Sequence, residues 1–140
     1  ELLNRQKVTM SYIRYLMIKE GFYDPSLIPL IKPEKPENYI KKTIFENDNY
    51  EVKLFKWAPN SVSLIHNHGE NGCVFTILGN ELNETLYDKN LNKIHCKDYY
   101  LFSTQLRKKS DIHKMQNNTT VSSYSLHIYS PPGFIADIYD

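Results

Sequence analysis

Two histidines one residue apart, His66 and His68, are the first side chains whose type and spacing could do chemistry. If 62–68 forms a strand, alternation puts Val62, Leu64, His66 and His68 on one face and Ser63, Ile65 and Asn67 on the other. Two neighbouring imidazoles at the end of an inward-facing apolar stripe can bite one metal ion. The pair also suits two ordinary half-buried histidines beside a turn, and the motif alone does not choose. A second file lies in 121–129, where Ser123, Ser125, His127 and Tyr129 share a face and Tyr124, Leu126 and Ile128 share the other. That polar face meets either solvent or a functional interior, and the sharp stop at Ser130-Pro131-Pro132-Gly133 speaks against solvent. A lone His113 beside a turn carries little information by itself.

These side chains need elements to position them. Val8, Tyr12, Ile13, Leu16 and Met17 recur at helical spacing, with Thr9 as N-cap and Gly21 as C-cap, so 1–23 reads as a helical lead-in. Pro25, Pro29, Pro33 and Pro36 then make 24–38 an irregular strap. From Tyr39 the rhythm becomes period two. Strands are expected over 39–45, 50–57, 62–68, 73–78, 81–87, 93–102, near His113 and over 121–129, with turns at Glu46–Asn49, Gly69–Gly72 and Gly79-Asn80. This predicts a mainly β chain, a sandwich or barrel, in one domain over 1–140 with its β-barrel at 39–140.

Composition narrows the function classes. At 140 residues the chain has room for one core, and 17 basic against 16 acidic residues leave a net charge of +1. No strong field advertises a nucleic acid or an anionic membrane. No apolar run reaches the length of a membrane span. Cys73 and Cys96 are too few for a disulfide framework, which makes a reducing, cytoplasmic setting the default. The start at Glu1 leaves open whether residues precede it. Only Arg5, Arg14 and Arg107 are arginines, although arginine is the usual fork for carboxylates.

Pro59, His66-Asn67-His68, Cys73 and Gly79 resemble the first motif of the cupins. His113 with Asn117 resembles the tail of the second, without the Pro and Gly that usually precede that histidine. Within the cupins the chain is most similar to the cysteine dioxygenase family. The likeness is carried by Trp57, His66-Asn67-His68, the block Gly79–Tyr87, His113-Lys114-Met115 and the block Ser125–Pro132, in that family's order. It runs from Tyr39 to the C-terminus, and the last block is its most specific part.

The resemblance implies a cupin, a jelly-roll-like β-barrel, in which His66, His68 and His113 ligate iron(II). It implies a relay of Ser125, His127 and Tyr129 that ends in a phenol near the metal. Cys73 stands where some members carry a cysteine joined by a thioether to that tyrosine; it is otherwise a small buried apolar residue. The family's carboxylate clamp, Tyr-x-Arg, is matched here by Tyr39-Ile40-Lys41. Lys41 either points inward and supplies charge without a planar fork, or is a solvated strand lysine beside Lys42.

Three neutral imidazoles leave a metal's charge unneutralised and favour a thiolate ligand. The implied reaction puts both atoms of O2 onto sulfur, with L-cysteine as the expected substrate and 3-mercaptopropionate as the alternative thiol. Such an enzyme belongs to cysteine catabolism, with a small thiol and O2 as partners and nothing requiring more than a monomer. Three histidines and an open position also describe catalytic zinc, for which Glu70 is the only acid in the metal loop, or a cupin that merely binds a small ligand. Cys96 and His95 read as structural.

Overall fold

The computed structural model describes residues 10–20, 39–133 and 135–139. Helix α1 (Met10–Glu20) is followed by ten strands: β1 (Tyr39–Glu46), β2 (Glu51–Trp57), β3 (Ile65–His66), β4 (Cys73–Gly79), β5 (Leu82–Tyr87), β6 (Lys93–Tyr99), β7 (Thr104–Arg107), β8 (Ile112–Gln116), β9 (Ser123–Tyr129) and β10 (Ile138–Tyr139). They form two five-stranded sheets, ordered β1-β2-β9-β4-β7 and β10-β3-β8-β5-β6. Every recorded strand pair is antiparallel, and the arrangement is jelly-roll-like, as expected. The expected caps Thr9 and Gly21 and the 24–38 strap lie outside the described residues.

Strands β9 and β4 of the first sheet are buried on both faces, which explains why β4 reads as a nearly continuous apolar run. Its outer face carries Leu54, Val74, Leu78, Leu126 and Ile128 against Met10, Ile13 and Met17 of α1. Its inner face carries Phe55, Trp57, Phe75 and Ile77, which meet Leu82, Tyr99 and Met115 of the strands around them. Alternation along β9 therefore sends Leu126 and Ile128 to the helix, and Ser125 and His127 into the space between the sheets. The polar face of this strand is internal.

Local chemistry closes the turns. Asn47 Oδ1 accepts from Asn49 N at 2.9 Å and Tyr50 N at 3.0 Å, turning β1 into β2. Gly72 has φ +86°, and a Cβ there would come within 2.2 Å of the Arg107 carbonyl oxygen, so only glycine lets this loop pass β7. Asn117 is fully buried; its Nδ2 donates to Trp57 O at 3.0 Å and Val121 O at 2.8 Å, tying the end of β8 to β2.

Two strand expectations need correction, and two strands were not expected. Segment 62–68 is not one strand: only Ile65–His66 qualify, and Val62 makes an isolated bridge to Gln116. Val62 and Leu64 are exposed, while Ser63 turns inward to accept from Met115 N at 2.9 Å. The alternation slips between Ser63 and His66, so no apolar stripe leads to the histidines. The expected strand to Phe102 stops at Tyr99, with Tyr100, Leu101 and Phe102 exposed at a turn. Strands β7 and β10 carry too little alternation to announce themselves.

Candidate metal centre

His66 sits on β3 and His113 on β8, and their Cα atoms are register partners. His68 follows β3 by two residues. The pairing brings the three rings together across an interval of 47 residues. His113 Nε2 lies 3.1 Å from His68 Nε2 and 3.2 Å from His66 Nε2. The other ring nitrogens fix the tautomers. His66 Nδ1 faces Leu64 O at 2.7 Å, His68 Nδ1 faces Asp111 O at 2.9 Å, and His113 Nδ1 faces a Glu84 carboxylate oxygen at 2.5 Å. All three acceptors lack a proton to give, so each Nδ1 donates and each Nε2 keeps its lone pair.

The three ligand nitrogens lie within 4.8 Å of one another, and lone pairs converging so closely repel unless a cation lies among them. Bonds of about 2.1 Å from one cation would hold two adjacent octahedral nitrogens about 3.0 Å apart. Burial, reinforced by neighbouring histidines, lowers the His66 pKa to about 4 and that of His68 to about 2, so both rings are neutral near pH 7. The donor set therefore fits a divalent transition metal, and no carboxylate is among its ligating atoms.

Behind His113 lies a network that inspection of the sequence had missed. Glu84 Oε2 accepts from His113 Nδ1 and from Arg107 Nε at 2.8 Å; Glu84 Oε1 accepts from Arg107 Nη2 and, at 3.1 Å, from Tyr99 OH. The Glu84 side chain is 1% exposed. Burial by itself would raise its pKa, but the His113 and Arg107 hydrogen bonds override that and hold it near 2. Glu84 is in phase with the buried Leu82, a signal available in the sequence; its partner Arg107 stands on β7 of the other sheet, a contact no local pattern reveals. Glu70, the acid in the metal loop, instead pairs with Lys109 at the exposed surface.

The β9 file forms a hydrogen-bonded chain. Trp57 Nε1 donates to Ser125 Oγ at 2.9 Å, and Ser125 Oγ lies 2.8 Å from His127 Nε2. His127 Nδ1 in turn lies 3.3 Å from Tyr129 OH and 4.0 Å from Cys73 Sγ. Burial pushes His127 well below the usual histidine value and Tyr129 well above the usual phenol value, keeping both neutral. Cys73 is the Cα partner of Tyr129, fully buried, with its thiol pKa raised by burial.

A cavity of about 490 Å³ joins these groups. His66, His68, His113, His127 and Tyr129 line it, together with Tyr39 and Lys41 from β1. The Tyr39 ring stacks on Trp57 with centroids 4.6 Å apart. Lys41 stands at the exposed rim, its pKa lowered first by desolvation and then by Lys53, against an opposing pull from Glu51. Cys96 and His95 lie on β6, away from the cavity lining.

A family model for cysteine dioxygenase type I matches residues 32–140. The chain belongs to the cysteine dioxygenase type I family. Cysteine dioxygenase type 1 of Rattus norvegicus is 30% identical to this family member over 94 residues, covering 61% of this chain and 47% of the rat protein. The Homo sapiens cysteine dioxygenase type 1 is 31% identical with the same coverage, so the family member spans about half the length of these relatives. Among solved structures, a Klebsiella pneumoniae protein with a double-stranded β-helix domain matches with a TM-score of 0.68 at 12% identity, covering 81% of this chain and 94% of that one. A cupin superfamily protein from Desulfitobacterium hafniense matches with a TM-score of 0.60 at 18% identity, covering 74% and 86%. These likenesses agree with a cupin fold.

Proposed function

We propose that this chain is a non-haem iron(II) thiol dioxygenase that converts L-cysteine and O2 to cysteine sulfinic acid. The observation that carries this reading is the three-histidine cluster without a carboxylate ligand, opening on a cavity that also holds the Tyr129 phenol. His66, His68 and His113 would hold iron(II), which would supply a redox centre with an affinity for thiolates and O2. The stoichiometry balances without a reductant, because both oxygen atoms stay on sulfur and the thiol proton becomes the sulfinic acid proton.

The chain's own groups do the rest. Tyr129, oriented by Ser125 and His127, offers a proton or hydrogen bond to the oxygen-bearing side of the reacting thiol. Tyr39 and Lys41 hold the substrate's far end, with Lys41 as the cation for its carboxylate. Cys73 is the partner for a thioether link to Tyr129.

The test is anaerobic iron loading followed by oxygen uptake across L-cysteine, 3-mercaptopropionate and cysteamine. Uptake that starts only on thiol addition, and metal loss in alanine variants of His66, His68 or His113, are the expected results. Tightly bound zinc with no uptake from any thiol would reject the reading.

A further inference from the structure

The cavity contains a buried acid and a second cation that the proposed reaction leaves unused. Glu51 and Lys53 are two residues apart on β2, so they share a face, and both line the cavity with the metal-site histidines. Their strand register places them beside the relay: Glu51 is the Cα partner of Tyr129, and Lys53 that of His127. Lys41 joins the same face from β1, since its register partner is Phe55, two residues beyond Lys53.

Glu51 is 5% exposed, a position a carboxylate rarely takes without a strong partner. Among the described residues its ion-pair partner is Lys53 Nζ, at 3.7 Å, longer than a hydrogen bond, and Lys41 adds a more distant electrostatic attraction. The Lys53 side chain is 21% exposed, whereas Lys41 sits at the open rim, so Lys53 is the deeper cation. Two cations and one anion thus face one small cavity, and the pair between them is loosely made.

A ligand carrying only a carboxylate would satisfy the lysines and leave a buried anion beside it. One carrying only an amine would satisfy Glu51 and meet two cations. A head group with both can replace the loose pair by two charge-assisted contacts.

Resting on the thiol dioxygenase reading, we propose that Glu51 and Lys53 select the substrate's amino-acid head group. Lys53, backed by Lys41, receives the carboxylate, and Glu51 accepts an N–H from the amino group. Thiols bearing both groups are thereby preferred over thiol acids and aminothiols.

The test is anaerobic calorimetry of L-cysteine, 3-mercaptopropionate and cysteamine binding to the iron(II)-loaded protein, with oxygen uptake measured in parallel. The wild-type protein should bind L-cysteine most tightly. Glu51→Gln should weaken L-cysteine by about tenfold, the loss of one charge-assisted hydrogen bond, while sparing 3-mercaptopropionate. Lys53→Met should weaken both acids and spare cysteamine, an independent readout if the first variant folds poorly. Equal weakening of all three thiols by either variant, or no change, overturns the selector. Failure of the wild-type protein to bind any thiol overturns it together with the dioxygenase reading. The expected binding pattern without oxygen uptake would support the selector and reject the dioxygenase reading alone.

Discussion

Glu84 Oε2 lies 2.5 Å from His113 Nδ1, and the same carboxylate is held on its other side by Arg107. The candidate ligand His113 is therefore oriented by an ion pair that bridges the two sheets. Glu84→Gln keeps an acceptor but removes its charge, and metal affinity should fall about 10- to 100-fold in a chelator competition. Arg107→Met leaves the buried carboxylate half-paired and should cost about 3–5 kcal/mol in urea unfolding. Wild-type affinity in the first variant and wild-type stability in the second would show the network to be incidental.

Lys41→Gln should raise the KM for L-cysteine about five- to tenfold while changing that for cysteamine little, because only cysteine carries a carboxylate. Steady-state oxygen uptake with the two substrates decides this. Equal effects on both would remove Lys41 from the substrate site.

Cys73 and Tyr129 are register partners on neighbouring strands. A thioether between them, formed under turnover with O2 as oxidant, lowers the intact mass by two hydrogen atoms. Mass spectrometry should find this fraction in the wild-type protein and lose it in Cys73→Ala. A single unmodified mass after prolonged turnover would argue that the cysteine is only packing.

His127 is buried and held neutral, first by desolvation and then by coupling to His113 and His66, whose protonation would oppose its own. In the unfolded chain it takes a proton near pH 6.5, so below that pH the unfolded state binds more protons and folding stability falls as acid is added. Each pH unit below about 6 costs about 1.4 kcal/mol for such a histidine. Urea unfolding of the metal-free protein from about pH 7.5 to about pH 5 should show this contribution on top of those of His66 and His68, which are lowered in the same direction. His127→Gln should lessen the slope by about one proton, and parallel slopes would refute the assignment.

Much of the site was legible without coordinates because it is local. The file Ser125, His127, Tyr129 lies on one strand, where alternation alone gives it a common side, and His66 and His68 are close enough in the chain to meet at the end of β3. Alternation could not tell whether the β9 file faced solvent. That depended on α1 covering the opposite face through Met10, Ile13 and Met17. It also misjudged Val62 and Leu64, since the backbone slips phase just before His66.

Contacts between distant strands were decided by tertiary structure alone. The register of His66 with His113, the reach of Arg107 to Glu84 across the sheets, and the placing of Glu51 and Lys53 in the metal cavity all depend on how the sheets pair and pack. Such pairings join residues far apart in the chain, and a one-residue change of register would turn each side chain to the other face. The sequence by itself determined which groups could do chemistry and which neighbours share a face. The packed sheets decided which of those faces meet, and they committed one of the chain's three arginines to the support of a metal-ligand candidate.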